Sequence, residues 1–496
     1  MKPTHNPDSH AEYRRQVWER LSEQKLLSNL PSTHLELARQ FCDLDLSDMD
    51  RIMMGRYSSC GPRPRQPSDM LRSMLLSAAW GVSSYTEWAR LLKTVPFLAI
   101  VSGFAPDDVP GIGTFYDFID RLWMSDEDNF SPSVQPRRLK PPKPARKGEK
   151  APSIEKKPVE DLIEAFQKTP PDALSPCRLL FELFESVFLQ RSAKEGLIDL
   201  KALNLAGDGT PLYAAARERS KRTCSCTENG VHDCSCDRRY SQPDCNWGYD
   251  SHRRCYYYGY DLYLFTDPAS GHDLPIIPYL GPASRHDSHG FVHAWFAAKS
   301  LLPEFHADRV FLDSAHDALA IYDLMAFEDV QAFIDLNKGH STTLEQKGYT
   351  IGPDGIPVCR DGHPMKAAGF DKAQHRLKYR CPKISKKNGC VTCDCENPCS
   401  TAKYGRQVHV YPASNPRLFC VPPRGSKQWK TAYNLRTGSE RANKRIKMDY
   451  KLEDGRYRSS KNWYCRLFVI MMQIHHDAWL VSEAETSQVQ ELRAAA

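Results

Sequence analysis

Hydrophobic residues recur every three or four positions through the first quarter of the chain. This helical period runs from about Leu35 to Trp123 and is clearest between Met70 and Leu76. The breaks in the run fall at Gly81, Pro96, Gly103 and Pro110. Because amphipathic spacing predicts helices and Gly or Pro ends them, we expect a compact all-α domain over residues 35–128. Residues 1–34 are predicted to be an N-terminal tail.

A segment rich in Pro, Lys and Arg follows the helical region, between about Ser131 and Lys157. Such a composition cannot bury an apolar core, so we expect a solvated linker over residues 129–160. The basic residues are compatible with a charged tether or with an arm that follows DNA, and the pattern favours the tether.

Beyond residue 161 the pattern changes to alternating apolar and polar positions separated by helical runs. Strands are predicted at Leu203–Tyr213, Tyr256–Phe265, Leu274–Leu280, Arg309–Leu312 and Val330–Leu336. Helices are predicted at about His289–Leu302 and Ala318–Phe327. The order βββαβαβ is typical of a ribonuclease H-like fold. We therefore predict an α/β protein in which the all-α domain precedes a ribonuclease H-like catalytic domain over residues 161–485.

Composition narrows the class of protein. The hydrophobic content of 41% supports a sizeable core, and the formal net charge of +6 permits a nucleic-acid partner without requiring one. Neither a membrane span nor an apolar signal region is apparent, so we expect a cytoplasmic, nucleoid-associated protein with no membrane partner.

Two aspartates lie at positions where they could bind catalytic metal ions. Asp208 lies in the middle of the first predicted strand, and Asp313 follows the fourth directly. The first and fourth strands are neighbours in a sheet of this order, so the two carboxylates should face each other. Oxygen ligands of this kind suit Mg²⁺ in a two-metal site for phosphodiester cleavage. An aspartate at a strand end is also a common turn residue, and neither position is specific alone.

A third carboxylate comes with a more specific pattern. The pattern Tyr-x2-Arg-x3-Glu-x6-Lys is formed by Tyr433, Arg436, Glu440 and Lys447. In a helix these four positions fall within about 60° of one another. Glu440 would complete the metal site, while Arg436 and Lys447 could bind phosphates and Tyr433 a phosphate or base. The alternative is a charged, solvent-facing helix. Gly438 weakens the helix, which could begin near Ser439.

These motifs resemble those of DDE-class insertion-sequence transposases with the Tyr-Arg-Glu-Lys (YREK) signature. The supporting segments are Gly207–Thr210, Gly259–Leu264, His286–Ser288, Phe311–Asp313 and Tyr433–Lys447, with Gly55–Phe118 similar to the helical, InsH-like N-terminal domain of these enzymes. The resemblance implies catalysis by Asp208, Asp313 and Glu440 with two Mg²⁺ ions, for which Mn²⁺ can substitute. It also implies DNA contacts by Tyr433, Arg436 and Lys447.

The same resemblance implies the reaction and its partners. Water cleaves the transposon end, and the new 3′-hydroxyl attacks target DNA. The partners would be double-stranded DNA, both terminal inverted repeats and target, with the protein acting as a homo-oligomer on DNA. One departure concerns the second aspartate: Asp313 is followed by Ser-Ala-His-Asp rather than by a small residue, Gly and an aromatic. Asp317 therefore competes with Asp313 as the ligand, although Asp313 fits the strand end better.

Twelve of the 17 cysteines fall in two clusters, within insertions at about 220–255 and 338–430. The candidate zinc ligands of the second cluster are Cys359, Cys381, Cys390, Cys393, Cys395 and Cys399, in a segment that we expect to be too polar to fold without metal. In the first cluster the C-x-C pairs Cys224/Cys226 and Cys234/Cys236 are compatible with zinc or with free thiols in a hairpin.

Two other functions share parts of this pattern. A domesticated, catalytically silent DNA-binding protein would keep the fold, but the intact triad argues against it. A ribonuclease H-like nuclease acting on RNA–DNA hybrids would have similar carboxylates. It would leave the Arg436 and Lys447 pairing and the helical N-terminal domain unexplained.

Overall fold

The computed structural model describes residues 2–3, 8–138, 158–171, 174–215, 220–337, 344–346, 348–383, 385–387, 390–392, 395–396, 399–400, 402 and 405–495, and for 385–387, 390–392 and 488–495 only the backbone. The chain is a mixed α/β protein with a helical N-terminal region. Most of the predicted basic linker lies outside the described residues.

The helices fall into three groups along the chain. The N-terminal helices are α1 (Ser9–Glu23), α2 (Ser32–Cys42), α3 (Ser47–Met53), α4 (Pro67–Ala79), α5 (Tyr85–Thr94), α6 (Pro96–Val101) and α7 (Ile112–Leu122). The helices before and within the sheet region are α8 (Val159–Lys168), α9 (Arg178–Leu183), α10 (Gln190–Lys194), α11 (Asp287–Leu301) and α12 (Leu319–Phe327). The C-terminal helices are α13 (Lys427–Tyr433), α14 (Thr437–Lys444) and α15 (Ser460–Ala495).

The strands fall into a central sheet and several small sheets. Those before and in the central sheet are β1 (Val134–Gln135), β2 (Leu203–Tyr213), β3 (Ser220–Arg222), β4 (Arg238–Tyr240), β5 (Asn246–Asp250), β6 (Cys255–Asp267), β7 (Leu274–Pro282), β8 (Ala307–Leu312) and β9 (Gln331–Ile334). The later ones are β10 (Leu344–Gln346), β11 (Tyr349–Ile351), β12 (Pro357–Val358), β13 (Lys366–Asp371), β14 (Arg376–Arg380), β15 (Ser385–Lys387), β16 (Cys390–Thr392) and β17 (Gln407–Val410).

The central sheet has the order β5-β6-β2-β8-β9, and β7 pairs with the same edge of β6 as β5 does. Strands β6 and β7 are antiparallel to their neighbours, whereas β2, β8 and β9 run parallel. The predicted order of strands and helices is thus observed, with β2 and β8 adjacent. Strand β5 was not predicted because the alternation of Trp247 and Tyr249 covers only five residues, within the segment assigned to the first insertion.

Helices cover both faces of the sheet. On one face, Phe291 and Trp295 of α11 pack against Phe265 of β6. On the other face, Trp463 of α15 packs against Tyr260 of β6. Because successive side chains of a strand alternate between faces, these contacts place α11 and α15 on opposite sides of the sheet.

The helical N-terminal region shares one apolar core with the sheet region. Helix α4 packs along α15, where the buried Arg466 donates to Ser77 Oγ (2.9 Å) and to the carbonyl oxygen of Val82 (2.8 Å).

The predicted N-terminal tail needs a correction, because it contains α1 and the start of α2. In α1, Tyr13, Val17 and Leu21 are buried at intervals of four residues, so one face of the helix joins the core. Helical structure is therefore observed from Ser9 on, within the residues predicted to be a tail.

The start of the predicted linker is ordered and contacts the first cysteine-rich insertion. Strand β1 pairs with β4, and β4 pairs with β3. Just before β1, Phe130 packs against Trp123 and Tyr464. Residues 130–138 thus lie against the sheet region, and residues 139–157 lie outside the described part.

The second insertion differs from the expectation that it is too polar to fold without metal. It contains two three-stranded sheets, β10-β11-β12 and β13-β14-β17, and the hairpin β15-β16. They enclose a small apolar core of Ile351, Met365, Leu377, Tyr379, Val408, Val410, Leu418 and Phe419. These apolar positions are spread over about 70 residues, so no local window of the sequence shows them as a core.

Across the part of the chain that the structure describes, no helix is both long enough and apolar enough to span a bilayer.

Candidate active site

Asp208 and Asp313 lie at the same level on neighbouring parallel strands. Ala206 of β2 is paired with Phe311 of β8, and each aspartate follows two residues later. The structure therefore brings together the two carboxylates that the strand order predicted to face each other.

The pKa shift of Asp208 shows that the two carboxylates lie within range of each other's charge. Burial, with the negative charges of Asp287 and Asp313, raises the pKa of Asp208 to about 7. Burial alone would also raise the pKa of Asp313, but the hydrogen bond and charge of His316 outweigh it and hold that pKa below its usual value. Asp208 thus needs a positive partner to be fully ionised at neutral pH.

His316 orients the Asp313 carboxylate. The imidazole Nδ1 lies 2.7 Å from Asp313 Oδ1, and Nε2 lies 2.9 Å from the hydroxyl of Tyr263. The backbone N–H of Ala315 donates to the same carboxylate oxygen at 3.0 Å. Since an ionised carboxylate only accepts, Nδ1 donates to Asp313, while the Tyr263 hydroxyl occupies the other ring nitrogen. Sequence reasoning missed His316, although it marked the unusual Ser-Ala-His-Asp run after Asp313.

Two further carboxylates lie beside Asp208. Asp261 of β6 is buried, and its pKa is raised well above the usual value by burial and by the charges of Asp287 and Asp208. Gly209 leaves room for both side chains, since a Cβ there would lie 2.3 Å from Asp287 Oδ1 and 3.1 Å from Asp261 Oδ2. The sequence placed Asp261 and Asp287 in segments that carry the family resemblance, and neither was predicted to be catalytic.

The segment that carries the third predicted carboxylate is not one continuous helix. Tyr433 ends α13, Arg436 lies in a 3₁₀ turn, Glu440 lies in α14, and Lys447 lies in a π-turn at its end. Helix α14 begins at Thr437, before Gly438 rather than after it. A Cβ on Gly438 would lie 2.5 Å from Pro268 Cβ, so this glycine lets α14 approach the turn after β6.

Helix α14 faces Asp208 through Asn443. The side-chain amide of Asn443 lies 3.5 Å from Asp208 Oδ2, which is at the upper limit for a hydrogen bond. Glu440 lies three residues earlier on the same face, with 52% of its side chain exposed and an ion pair to Arg436 at 2.8 Å. The helix therefore places Glu440 beside the site, while its carboxylate is directed at Arg436.

The three predicted DNA-binding residues have different surroundings. Tyr433 stacks on Trp429 with ring centres 4.5 Å apart, and Arg436 is 22% exposed. Lys447 is only 14% exposed: its Nζ donates to Thr210 Oγ1 (3.0 Å) and to the carbonyl oxygen of Pro211 (2.8 Å), and it pairs with Glu453 at 2.7 Å. Arg436 is therefore the most accessible cation of the motif beside Glu440.

Asp317, the competing candidate for the second aspartate, is fully buried in other contacts. Arg417 donates to both of its oxygens at 2.8 and 2.5 Å, and the backbone N–H of Asn337 donates at 2.7 Å. These bonds occupy the carboxylate and tie α12 to the second insertion.

A protein-family model described as a transposase DDE domain matches residues 225–473, half of the chain. The chain belongs to the transposase DDE domain family. The domain implies a ribonuclease H-like fold, polynucleotidyl transferase activity and DNA binding, in agreement with the strand order described above. Asp313, Glu440 and the Tyr-Arg-Glu-Lys motif lie within the matched residues, and Asp208 precedes them. No curated protein matches the chain.

The carboxylates of this DDE domain fit the divalent cations that such domains typically use. The pKa of Asp208 is raised because its carboxylate is shielded from water and lies near the negative charges of Asp287 and Asp313. Hard oxygen donors that repel one another are the ligand set that Mg²⁺ or Mn²⁺ stabilises.

Three predicted zinc ligands of the second insertion lie near one another, since burial together with the charges of Cys381 and Cys359 raises the pKa of the Cys399 thiol. Cys393 and the side chain of Cys390 lie outside the described part. The remaining candidates are Cys359 and Cys381, which are buried, and Cys395 and Cys399, which are partly exposed. Among the side chains that the structure describes, the group of cysteines close enough to share a metal ion lies in the first insertion instead, at Cys224, Cys226, Cys234 and Cys236.

Proposed function

We propose that the chain is an Mg²⁺-dependent DNA transposase that cleaves at transposon ends and transfers the 3′-hydroxyl strand to target DNA. The observation that carries this proposal is the meeting of Asp208 and Asp313 on adjacent parallel strands of a transposase DDE domain, close enough for their charges to interact.

In this proposal Asp208, Asp313 and Glu440 hold the metal ions. Bound Mg²⁺, or Mn²⁺ in its place, supplies activation of the attacking water or 3′-hydroxyl and neutralisation of the leaving oxygen. His316 keeps the Asp313 carboxylate oriented toward the site. Glu440 joins by turning from Arg436 toward Asp208, the residue that Asn443 on the same face of α14 contacts.

Arg436 has a second role once Glu440 turns away. Its guanidinium is then free to bind the phosphate next to the scissile bond with paired hydrogen bonds. Tyr433 packs beside it and can donate its hydroxyl to the DNA. Lys447 fixes β2 to the turn after α14, and it contributes positive charge to the site at short range.

The helical region over residues 35–128 is proposed to read the terminal inverted repeats, with the protein assembled as a homo-oligomer on DNA. Its shared core with α15 supports this arrangement, because DNA held by the helices would be fixed relative to the catalytic carboxylates.

The test uses the purified full chain, Mg²⁺ and a labelled duplex carrying the transposon end. We expect cleavage at the end, lost with EDTA and in Asp208→Asn and Glu440→Gln. Asp308→Asn is the matched control, since this exposed aspartate lies near the opposite end of β8. Specific binding without cleavage would support the silent DNA-binding alternative, and cleavage of an RNA–DNA hybrid alone would support the nuclease.

A further inference from the structure

Four cysteines of the first insertion converge on one point between β3 and β4. The Sγ atoms of Cys224, Cys226, Cys234 and Cys236 all lie within 4.8 Å of one another, and none is in a disulfide. The pairs Cys224–Cys234 and Cys226–Cys236 are 3.6 Å apart. A tetrahedral zinc ion with Zn–S bonds of about 2.3 Å separates its sulfurs by about 3.8 Å. The cluster therefore has the dimensions of a four-thiolate zinc site.

The charge around the cluster also fits a metal–thiolate centre. Four thiolates and one Zn²⁺ carry a net charge of −2, which needs compensation where it is shielded from water. The guanidinium of Arg238 is buried and lies 3.1 Å from Cys234 Sγ and 3.8 Å from Cys224 Sγ. A buried arginine directed at two thiol sulfurs is explained when those sulfurs are thiolates.

The hairpin buries few apolar side chains and is otherwise held by polar contacts such as those of Arg222 and Thr223. Strands β3 and β4 have three residues each, the side chains of β3 are exposed, and Val231 in the connecting loop is half exposed. A segment this short with so few buried apolar side chains needs a covalent or metal cross-link to keep one conformation. We propose that Cys224, Cys226, Cys234 and Cys236 bind one structural Zn²⁺ that folds this hairpin.

The zinc hairpin also fixes the chain that leaves the helical region. Strand β4 pairs with β1, and Arg137 forms an ion pair with Asp233 between two of the ligands. The backbone N–H of Arg138 donates to the hydroxyl of Tyr240 at 2.7 Å, and its guanidinium lies 4.1 Å from the centre of that ring. Residues 134–138, immediately before the basic Pro-rich segment, are thus held in part by the folded hairpin, and Arg138 also donates to Tyr258 and to the carbonyl oxygen of Pro243. Zinc loss should loosen them.

Metal analysis of the purified full chain tests the site. We expect the Cys224→Ser and Cys236→Ser variants each to contain one equivalent of zinc less than the natural chain. Cys60→Ser and Cys255→Ser are matched controls, because both cysteines are exposed and outside the cluster, and they should keep the full zinc content. Zinc-free natural protein, or the same zinc content in Cys224→Ser, would overturn the proposal.

Limited trypsin digestion tests the second part and does not depend on catalysis. Cleavage after Arg137 and Arg138 should be on the order of tenfold faster in Cys224→Ser, or after zinc removal, than in the natural chain. Cleavage in the exposed loop at Arg456 and Arg458 should be unchanged, which separates local release from global unfolding. Equal cleavage rates after Arg137 and Arg138 with and without zinc would refute the anchoring role.

Discussion

Replacing His316 with alanine removes a hydrogen bond to Asp313 while leaving every proposed metal-binding carboxylate in place. The imidazole is fully buried and connects Asp313 Oδ1 at 2.7 Å to the Tyr263 hydroxyl at 2.9 Å. Without it, the Asp313 carboxylate keeps the bond from the backbone N–H of Ala315 and loses the group that fixes its rotation.

The size of the effect follows from these contacts. A hydrogen bond to a charged group contributes about 1.5–3 kcal/mol, and losing a partner that orients a metal ligand typically costs about 10- to 100-fold in metal affinity. We therefore expect His316→Ala to raise the Mg²⁺ concentration for half-maximal end cleavage by about 10- to 100-fold. The variant should also lose about 2–4 kcal/mol of folding stability, because a buried ring leaves a cavity. Tyr263→Phe, which keeps the imidazole, should show a smaller shift.

The assay is a Mg²⁺ titration of end cleavage, with thermal unfolding measured on the same preparations. His475→Ala is the matched control, since His475 is equally buried and hydrogen-bonded to Ser192 Oγ (2.8 Å) and the carbonyl oxygen of Pro275 (2.9 Å). It should lose similar stability and keep the Mg²⁺ dependence of the natural chain. A folded His316→Ala protein with unchanged half-saturation would refute the positioning role.

Three other predictions concern packing and pH. Gly438→Ala should push α14 away from Pro268. We expect end cleavage to slow at least about tenfold and the protein to lose about 1–3 kcal/mol of stability. Cleavage equal to that of the natural chain would contradict the close approach of α14 to Pro268. Burial lowers the pKa of His475 and of His476 to about 4, so the contribution of these two histidines to the free energy of unfolding should be constant above about pH 6.5 and fall toward pH 4, where the unfolded histidines bind protons and the folded ones do not. Urea unfolding across this range should show a shallower fall for His475→Gln, and an identical fall would count against its burial as the cause. Arg466→Met should lower the melting temperature, because it removes two buried hydrogen bonds between α15 and the N-terminal helices. The expected loss of stability is about 2–4 kcal/mol. An unchanged melting temperature would argue against that contact.

The order of the central sheet was predictable because its strands carry clear local patterns. Asp208 and Asp313 could be placed together because parallel neighbours bring equivalent positions to one level. Glu440 was found through its spacing from Arg436 and Lys447, although the helix is interrupted there. Its place in the triad stays a prediction, as does the division into domains.

The remaining features depend on contacts between segments that are distant in sequence. The side chains of Asp261 and Asp287 both lie over Gly209, and the sequence around each aspartate does not indicate this arrangement. The burial of Lys447 follows from a π-turn that changes its direction, which a regular helix of about 3.6 residues per turn does not give. The sequence favoured the second cysteine cluster as a zinc site and left zinc or free thiols open for the first, where the sulfur distances of Cys224 and its three neighbours now favour zinc.

The most direct test of the central claim compares end cleavage by Asp313→Asn and Asp317→Asn in Mg²⁺. We expect Asp313→Asn to lower the cleavage rate by at least about a thousandfold, since a metal ligand contributes several kcal/mol to the transition state. Asp317→Asn should lose stability through Arg417 and still cleave at a temperature where it is folded. Natural cleavage rates in a folded Asp313→Asn protein, or loss of cleavage in Asp317→Asn alone, would contradict the assignment.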